Sequence, residues 1–232
     1  MDEKGLRGTI EPCAGDSEYR AVGDRCAVAL AHLDVRSGGK RLARAEVLAM
    51  LERIGCTVLD VDVVVLARSL VGRATWRRGT RFHEAPGAVD CSTFVKWLYG
   101  QRGIWIPRRS IQQLWYRGNS GCRIERIEDL RAGDLVFASG FQPYYKDSAA
   151  AGVGHVGVVT DTGTVIHAAN RTIGVTESPL AAFTARDRFH GARRLAPTEW
   201  DVITLQAPSH RDVEYADDLR WMLYQQLPWT AP

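Results

Sequence analysis

The sequence predicts an α+β protein in which helices pack on an antiparallel β-sheet. Two observations carry this. Apolar residues recur at helical spacing through the first half, over residues 42–54, 63–70 and 91–99. Short β-rich runs bounded by turn residues follow in the second half, at 135–137, 155–159 and 165–168. Helices first and strands afterwards is an α+β order, not an alternating doubly wound one. No glycine-rich phosphate loop joins a strand to a helix.

In chain order, residues 1–18 show no period, and a short helix is expected around 26–33. Gly38-Gly39 breaks the chain. Leu42, Val47, Leu48, Leu51 and Ile54 then mark a helix that Gly55 caps. Residues 1–58 thus read as an N-terminal helical extension. Asp60 or Asp62 caps the next helix, over 63–70, and Gly72 ends it. Residues 73–89 read as loop. Asp90 precedes a helix whose stripe is Phe94, Val95, Leu98 and Tyr99, with Gly100 and Gly103 closing it. A turn at 130–134 leads into the first strand. Residues 138–153, with Tyr144 and Tyr145, form an excursion that reads either as a surface loop or as a lid over a site. Two further strands are expected at 175–177 and 192–195. After Pro197 the pattern weakens, so 59–196 is the main domain and 197–232 a tail or small appendage.

The 232 residues are 45% apolar and 25% charged, ordinary for a globular protein with a core. A net charge of +3 is too small to imply nucleic acid. The start, Met1-Asp2-Glu3-Lys4-Gly5, lacks the basic and apolar run of a secretory signal. No apolar run reaches the ~20 residues that cross a bilayer. Five cysteines, Cys13, Cys26, Cys56, Cys91 and Cys122, are odd in number and scattered, which argues against a disulfide framework or a zinc knuckle and for a reducing compartment.

Cys91 stands apart from the other four. Asp90 as N-cap places it at the first position of a helix. Unpaired N–H groups and the helix dipole there favour the thiolate, the reactive form. The same N–H groups can hold an oxyanion during acyl transfer. The plain alternative for a single cysteine is a small buried hydrophobe. A base is also required. His155 and His167 flank one hairpin turn, Asp161-Thr162-Gly163. If Gly163 is left-handed and Thr160 pairs with Thr164, Gly157 faces His167 and His155 lies diagonally on the same face. Imidazoles can span that diagonal of ~7–8 Å. His155 would then face the sulfur and His167 would hold its ring. His32, His83, His190 and His210 read as surface residues.

These residues carry a family resemblance. Val89-Asp90-Cys91-Ser92-Thr93-Phe94-Val95 resembles the Asp-Cys-Ser segment of NlpC-type cell-wall peptidases. Ile106-Pro107-Arg108-Arg109-Ser110-Ile111-Gln112-Gln113 is similar to the Pro-Arg-x-Ser-x-x-Gln stretch after it. The segments 130–137, 154–159, 165–169 and 189–195 resemble later blocks of the family in the same order, with Ala132 where a proline is usual. The resemblance covers about 60–196. It implies a papain-like NlpC core, a Cys91–His155–His167 triad and no metal or cofactor. It further implies a cysteine endopeptidase acting on peptidoglycan stem peptides at a D-γ-glutamyl–diamino acid bond. Two alternatives stay open: an amidase or acyltransferase of the same fold, and an inactive wall-binding module.

By the same match, Asp90 and Ser92 either hold the substrate's amine end or serve as cap and first-turn hydroxyl. Arg109 and Ser110 either line the cleft or anchor the helix after them. One departure concerns a tyrosine that the family usually carries near residues 72–79; Thr75 or Trp76 stands at that place here. The partner expected is a peptidoglycan peptide, with no nucleic acid and no membrane span. The location expected is the cytoplasm, or outside the cell by a non-classical route as in a toxin or phage component.

Overall fold

The computed structural model describes residues 19–116, 121–140 and 152–227. Tyr144 and Tyr145, and with them most of the expected excursion, lie outside the described residues. The first strand, β1 (Arg25–Ala29), occupies a stretch whose spacing predicts a helix, and only α1 (Leu30–Leu33) is helical. Burial on both faces explains the difference. Ala27 and Ala29 pack into the main core, Cys26 and Val28 into a second one. A strand buried on both sides shows no alternation, so its apolar run looks like a helical segment.

A hairpin of β2 (Arg36–Ser37) and β3 (Lys40–Arg41) leads to α2 (Arg44–Arg53), which buries Val47, Met50 and Leu51. β4 (Thr57–Leu59) follows. Asp62 caps α3 (Val63–Ser69) by accepting from the N–H groups of Val64 and Val65. Within the stretch that reads as loop, β5 (Thr75–Trp76) and β6 (Ala88–Val89) pair in parallel. α4 (Cys91–Gln101) and α5 (Ser110–Trp115) come next. The strands β7 (Cys122–Ile124), β8 (Leu135–Ser139), β9 (Val153–Val159), β10 (Thr164–Asn170), β11 (Gly174–Pro179) and β12 (Phe189–Arg194) then build the main sheet, with α6 (Ala181–Thr184) before the last. β13 (Val202–Gln206) and α7 (Ala216–Tyr224) close the chain's described part.

The main sheet is antiparallel throughout, in the order β11-β10-β9-β8-β12-β7. α4 packs on β9 and β10. Its stripe of Phe94, Val95 and Leu98 shares one core with Val156, Val158, Ile166 and Ala168. Phe183 of α6 makes a smaller cluster with Val136, Ala138, Val159 and Val165. This is the α+β layout that the order of patterns predicts.

The flanks differ from their reading as a helical extension and a separate tail. β13 lies between β1 and β4 in a second, three-stranded antiparallel sheet. Leu219 and Leu223 of α7 pack with Val47, Met50 and Leu51 of α2 against that sheet's outer side. The described parts of the two flanks, 19–58 and 197–227, therefore meet in one layer. Cys122 is disulfide-bonded, whereas Cys26, Cys56 and Cys91 are free. The bond at Cys122 runs against the reducing compartment that the scattered cysteines suggest; one bond, unlike a framework, leaves no spacing signature. Among the described residues, no helix is long and apolar enough to cross a membrane.

Candidate active site

Cys91 begins α4 because Asp90 stops the chain there. The Asp90 backbone is extended, with φ −101° and ψ 175°, and its Oδ1 accepts the Thr93 N–H at 2.8 Å. The rest of that carboxylate is also occupied. Oδ2 accepts the Gly79 N–H at 3.0 Å, and the Arg108 guanidinium reaches Oδ2 at 2.5 Å and Oδ1 at 3.1 Å. Arg108 further donates to Ser92 Oγ at 2.7 Å, and Ser92 Oγ donates to Asp90 Oδ1 at 3.1 Å. Burial opposes the Asp90 charge, but Arg108 and the helix N–H bonds outweigh it and hold the carboxyl below its ordinary range. Asp90 and Ser92 thus act here as cap and clamp, although both also line the cleft.

The Cys91 sulfur sits against the β9 backbone on either side of His155. Its Sγ approaches the Gly154 carbonyl at 3.9 Å. Desolvation, followed by the Asp90 carboxylate, pushes the thiol up to about 12. The N–H groups of Val156 and Ser92 pull the other way and lose. The expectation that a helix N-terminus would favour the thiolate is therefore corrected: its effect is present, but burial and the neighbouring acid exceed it.

The histidines are brought together by the β9–β10 hairpin. Val159 pairs with Val165 and Val158 with Ile166. Gly163 has φ +74°, and the Thr160 N–H bonds the Thr164 carbonyl at 2.9 Å. That register sets Gly157 opposite His167. A Cβ on Gly157 would stand 3.0 Å from His167 Cβ and 2.4 Å from Val165 Cγ1, so only glycine allows the strands to close there. His155 Nε2 and His167 Nδ1 are 2.8 Å apart. The rings meet edge to face at 4.9 Å, and Phe183 stacks on His155 at 5.4 Å. Burial pushes His155 down to about 3, helped by the charges of His167 and Arg188. Burial and Arg188 take His167 to about 4. Desolvation thus disfavours charge on the thiol and on both imidazoles.

His167 Nε2 lies 3.0 Å from Ser178 Oγ on β11. Sequence reasoning misses Ser178. On the β10–β11 pair, His167 faces Thr176 and Val165 faces Ser178, so Ser178 is diagonal to His167. The diagonal rule that joins His155 to His167, applied one strand further, finds it.

Cys91, His155, His167 and Ser178 open onto one cleft of about 970 Å³. Trp76, Arg109 and Ser110 line it as well. Thr75 does not: its hydroxyl donates to the Gly87 carbonyl at 2.9 Å. Neighbours on a strand point to opposite faces, so only Trp76 of the two candidates reaches the cleft. Gln113 bonds the carbonyls of Ser92 and Pro107, each at 2.9 Å, tying α5 to the first turn of α4. His190 is half-buried rather than a free surface residue, with Nε2 at 2.9 Å from Ser139 Oγ. Among the described residues, no group of three or more acidic, histidine or cysteine side chains is placed to hold a metal.

A cysteine at the start of a helix, sharing one cleft with a histidine that a second imidazole holds across an antiparallel sheet, has the parts of a cysteine–histidine site on an α+β fold. The chain belongs to the NlpC/P60 family, whose sequence pattern matches residues 75–194. It is 37% identical over 95 residues to a probable endopeptidase of Corynebacterium glutamicum, covering 41% of this chain and 38% of that one. It is 32% identical over 108 residues to a γ-D-glutamyl-L-lysine dipeptidyl-peptidase of Bacillus cereus, covering 47% of this chain and 29% of that one. The chain's matches thus span less than half the length of these relatives. A solved NlpC/P60 family protein from Bacillus cereus superposes with a TM-score of 0.48 at 24% identity, over 61% of this chain and 42% of that one.

Proposed function

We propose that the chain is a cysteine endopeptidase that cleaves peptidoglycan stem peptides between a D-γ-glutamyl residue and a diamino acid. One observation carries the chemistry. The His155–His167 hydrogen bond and the Cys91 sulfur share a cleft in which that sulfur rests on the backbone flanking His155. The substrate class rests on family membership and on the relatives' names.

The hydrogen-bond chain selects the proton positions. For His155 to accept the thiol proton at Nδ1, its own proton sits on Nε2 and is donated to His167 Nδ1. The His167 proton is then on Nε2 and is donated to Ser178 Oγ. Desolvation disfavours charge on both groups, so in this reading the thiol gives up its proton as it attacks rather than waiting as a preformed thiolate. Sulfur bonds to the peptide carbonyl carbon, and the proton passes to His155. The N–H groups at the start of α4 face the developing oxyanion. His155 returns the proton to the departing amine as the C–N bond breaks. Water, deprotonated by His155, then opens the thioester, which frees the acid and restores the thiol. His167 and Ser178 hold the ring throughout. The amine-anchor role of Asp90 and Ser92 requires the substrate's ammonium to compete with Arg108 for the same oxygens.

Incubation with purified muropeptides, followed by mass analysis of the fragments, tests this reading. Cleavage at the γ-glutamyl amide is expected, and Cys91→Ala should abolish it without unfolding the chain. Hydrolysis of the amide that joins the sugar to the peptide, giving a sugar-borne acid and a free peptide amine, would instead assign an amidase, and acyl transfer to an added amine in place of water an acyltransferase.

A further inference from the structure

The charge on the cleft wall is lopsided. Among the described residues, four arginines (Arg78, Arg108, Arg109 and Arg188) line it and Asp90 is the one carboxylate, already clamped by Arg108. Arg188 is exposed, and its partners among the described residues are two carbonyls. Nη1 donates to Ala182 at 2.9 Å and Nη2 to Ser139 at 3.4 Å. Among the described residues, no carboxylate lies within ion-pair distance of it, and most of its five donors remain for a ligand.

Those two carbonyls fix which side of the cleft Arg188 occupies. Ala182 precedes Phe183, the ring against both imidazoles, and Ser139 follows Ala138, the cross-strand neighbour of His155. The guanidinium is therefore on the imidazole side, and its charge reaches both rings. His155 must hand its proton to the departing amine, so the leaving residue of the substrate sits on that side as well. The acyl part faces the start of α4, where Asp90, Ser92 and Arg108 stand.

Resting on the peptidase reading above, we propose that Arg188 selects substrates whose leaving residue carries a side-chain carboxylate. A planar guanidinium with free paired N–H groups matches a carboxylate in two-point contact, and a cationic or amidated side chain there loses that contact. The preferred leaving residue is then an acidic diamino acid rather than lysine. If Arg188 only tied its loop to α6 and β8, its loss would weaken all substrates alike.

The test is calorimetric binding of two tetrapeptides to the full chain carrying Cys91→Ala. Both are L-Ala-γ-D-Glu-X-D-Ala with an amidated C-terminus. In one, X is meso-diaminopimelic acid with its side-chain carboxylate free; in the other that group is amidated. Charge-assisted pairing predicts about ten- to a hundredfold tighter binding of the acid. Adding R188Q should erase the difference, and R188K should keep part of it. Equal binding of acid and amide by the chain that retains Arg188 overturns the proposal without recourse to any variant at 188. So does discrimination that survives R188Q in a chain with unchanged thermal unfolding. Hydrolysis by the chain that retains Cys91 is followed in parallel. Discrimination with both peptides left intact would sink the peptidase reading and keep Arg188; cleavage with no discrimination would do the reverse.

Discussion

Gly157→Ala probes the contact on which the site depends. The new methyl would lie 2.4 Å from Val165 Cγ1 and 3.0 Å from both His167 Cβ and the Ile166 carbonyl oxygen. Carbon atoms in contact prefer about 3.5–4.0 Å, so β9 and β10 must part by roughly 1 Å. The His155–His167 bond, 2.8 Å long, would stretch by a similar amount, past the limit at which it orients the ring. Overpacking of this kind costs about 1–3 kcal/mol, small enough for a domain of ordinary stability to remain folded. Loss of a positioned general base costs about 10²–10⁴ in rate. The assay pairs a urea unfolding curve with kcat/KM on a stem peptide. The expected result is a folded protein, modestly destabilised, whose activity falls by about a hundredfold or more. Full activity together with unchanged stability would refute the register and the close approach of the two strands.

Ser178→Ala should lower kcat about tenfold with little change in KM, because Ser178 acts on substrate only through His167; an equal rise in KM would assign it to binding. The pH profile of kcat/KM should keep its acid limb near pH 3–4, well below an ordinary histidine near 6.5, because His155 and His167 are held uncharged at about 3 and about 4; a limb at 6–7 would show a solvated base. The same shifts bear on folding. A histidine whose folded value is depressed stabilises fully above its unfolded value and loses that contribution as pH falls through about 6.5 toward about 4. Urea midpoints should therefore drop over that range, more shallowly in His167→Gln, and an identical pH dependence in the two proteins would contradict the linkage. Arg108→Ala should cost about 1–3 kcal/mol, since it strips Asp90 of its cation in a largely buried setting, and the Asp90 carboxyl should rise toward the ordinary range; a neutral effect on thermal unfolding would show that the clamp contributes nothing.

Much of the site is legible in the sequence because it obeys local rules. An Asp before an amphipathic stripe is a helix start, which places Cys91. The hairpin turn at 161–163 fixes the β9–β10 register, which places His155 and His167 on one face. What escapes depends on surroundings that local spacing does not carry. β1 reads as helix because its two faces enter different cores. It pairs with β13 through Cys26 opposite Leu205 and Ala29 opposite Val202, a long-range contact with no local mark in the sequence. Ser178 escapes because it lies one strand pair beyond the hairpin that joins the two histidines. Thr75 is misplaced because nothing in 73–89 signals a strand, so the alternation that turns it away from the cleft is invisible. The resting charge of Cys91 depends on desolvation, which a helix N-terminus does not report.

The most direct test of the central claim is acid-quench mass spectrometry of the enzyme during turnover of a stem peptide. A transient thioester is expected on the peptide containing Cys91, with the mass of the L-Ala-γ-D-Glu acyl group, that disappears as product forms and is absent in Cys91→Ala. Product formation with no adduct at Cys91, or with the adduct on another residue, would contradict the mechanism.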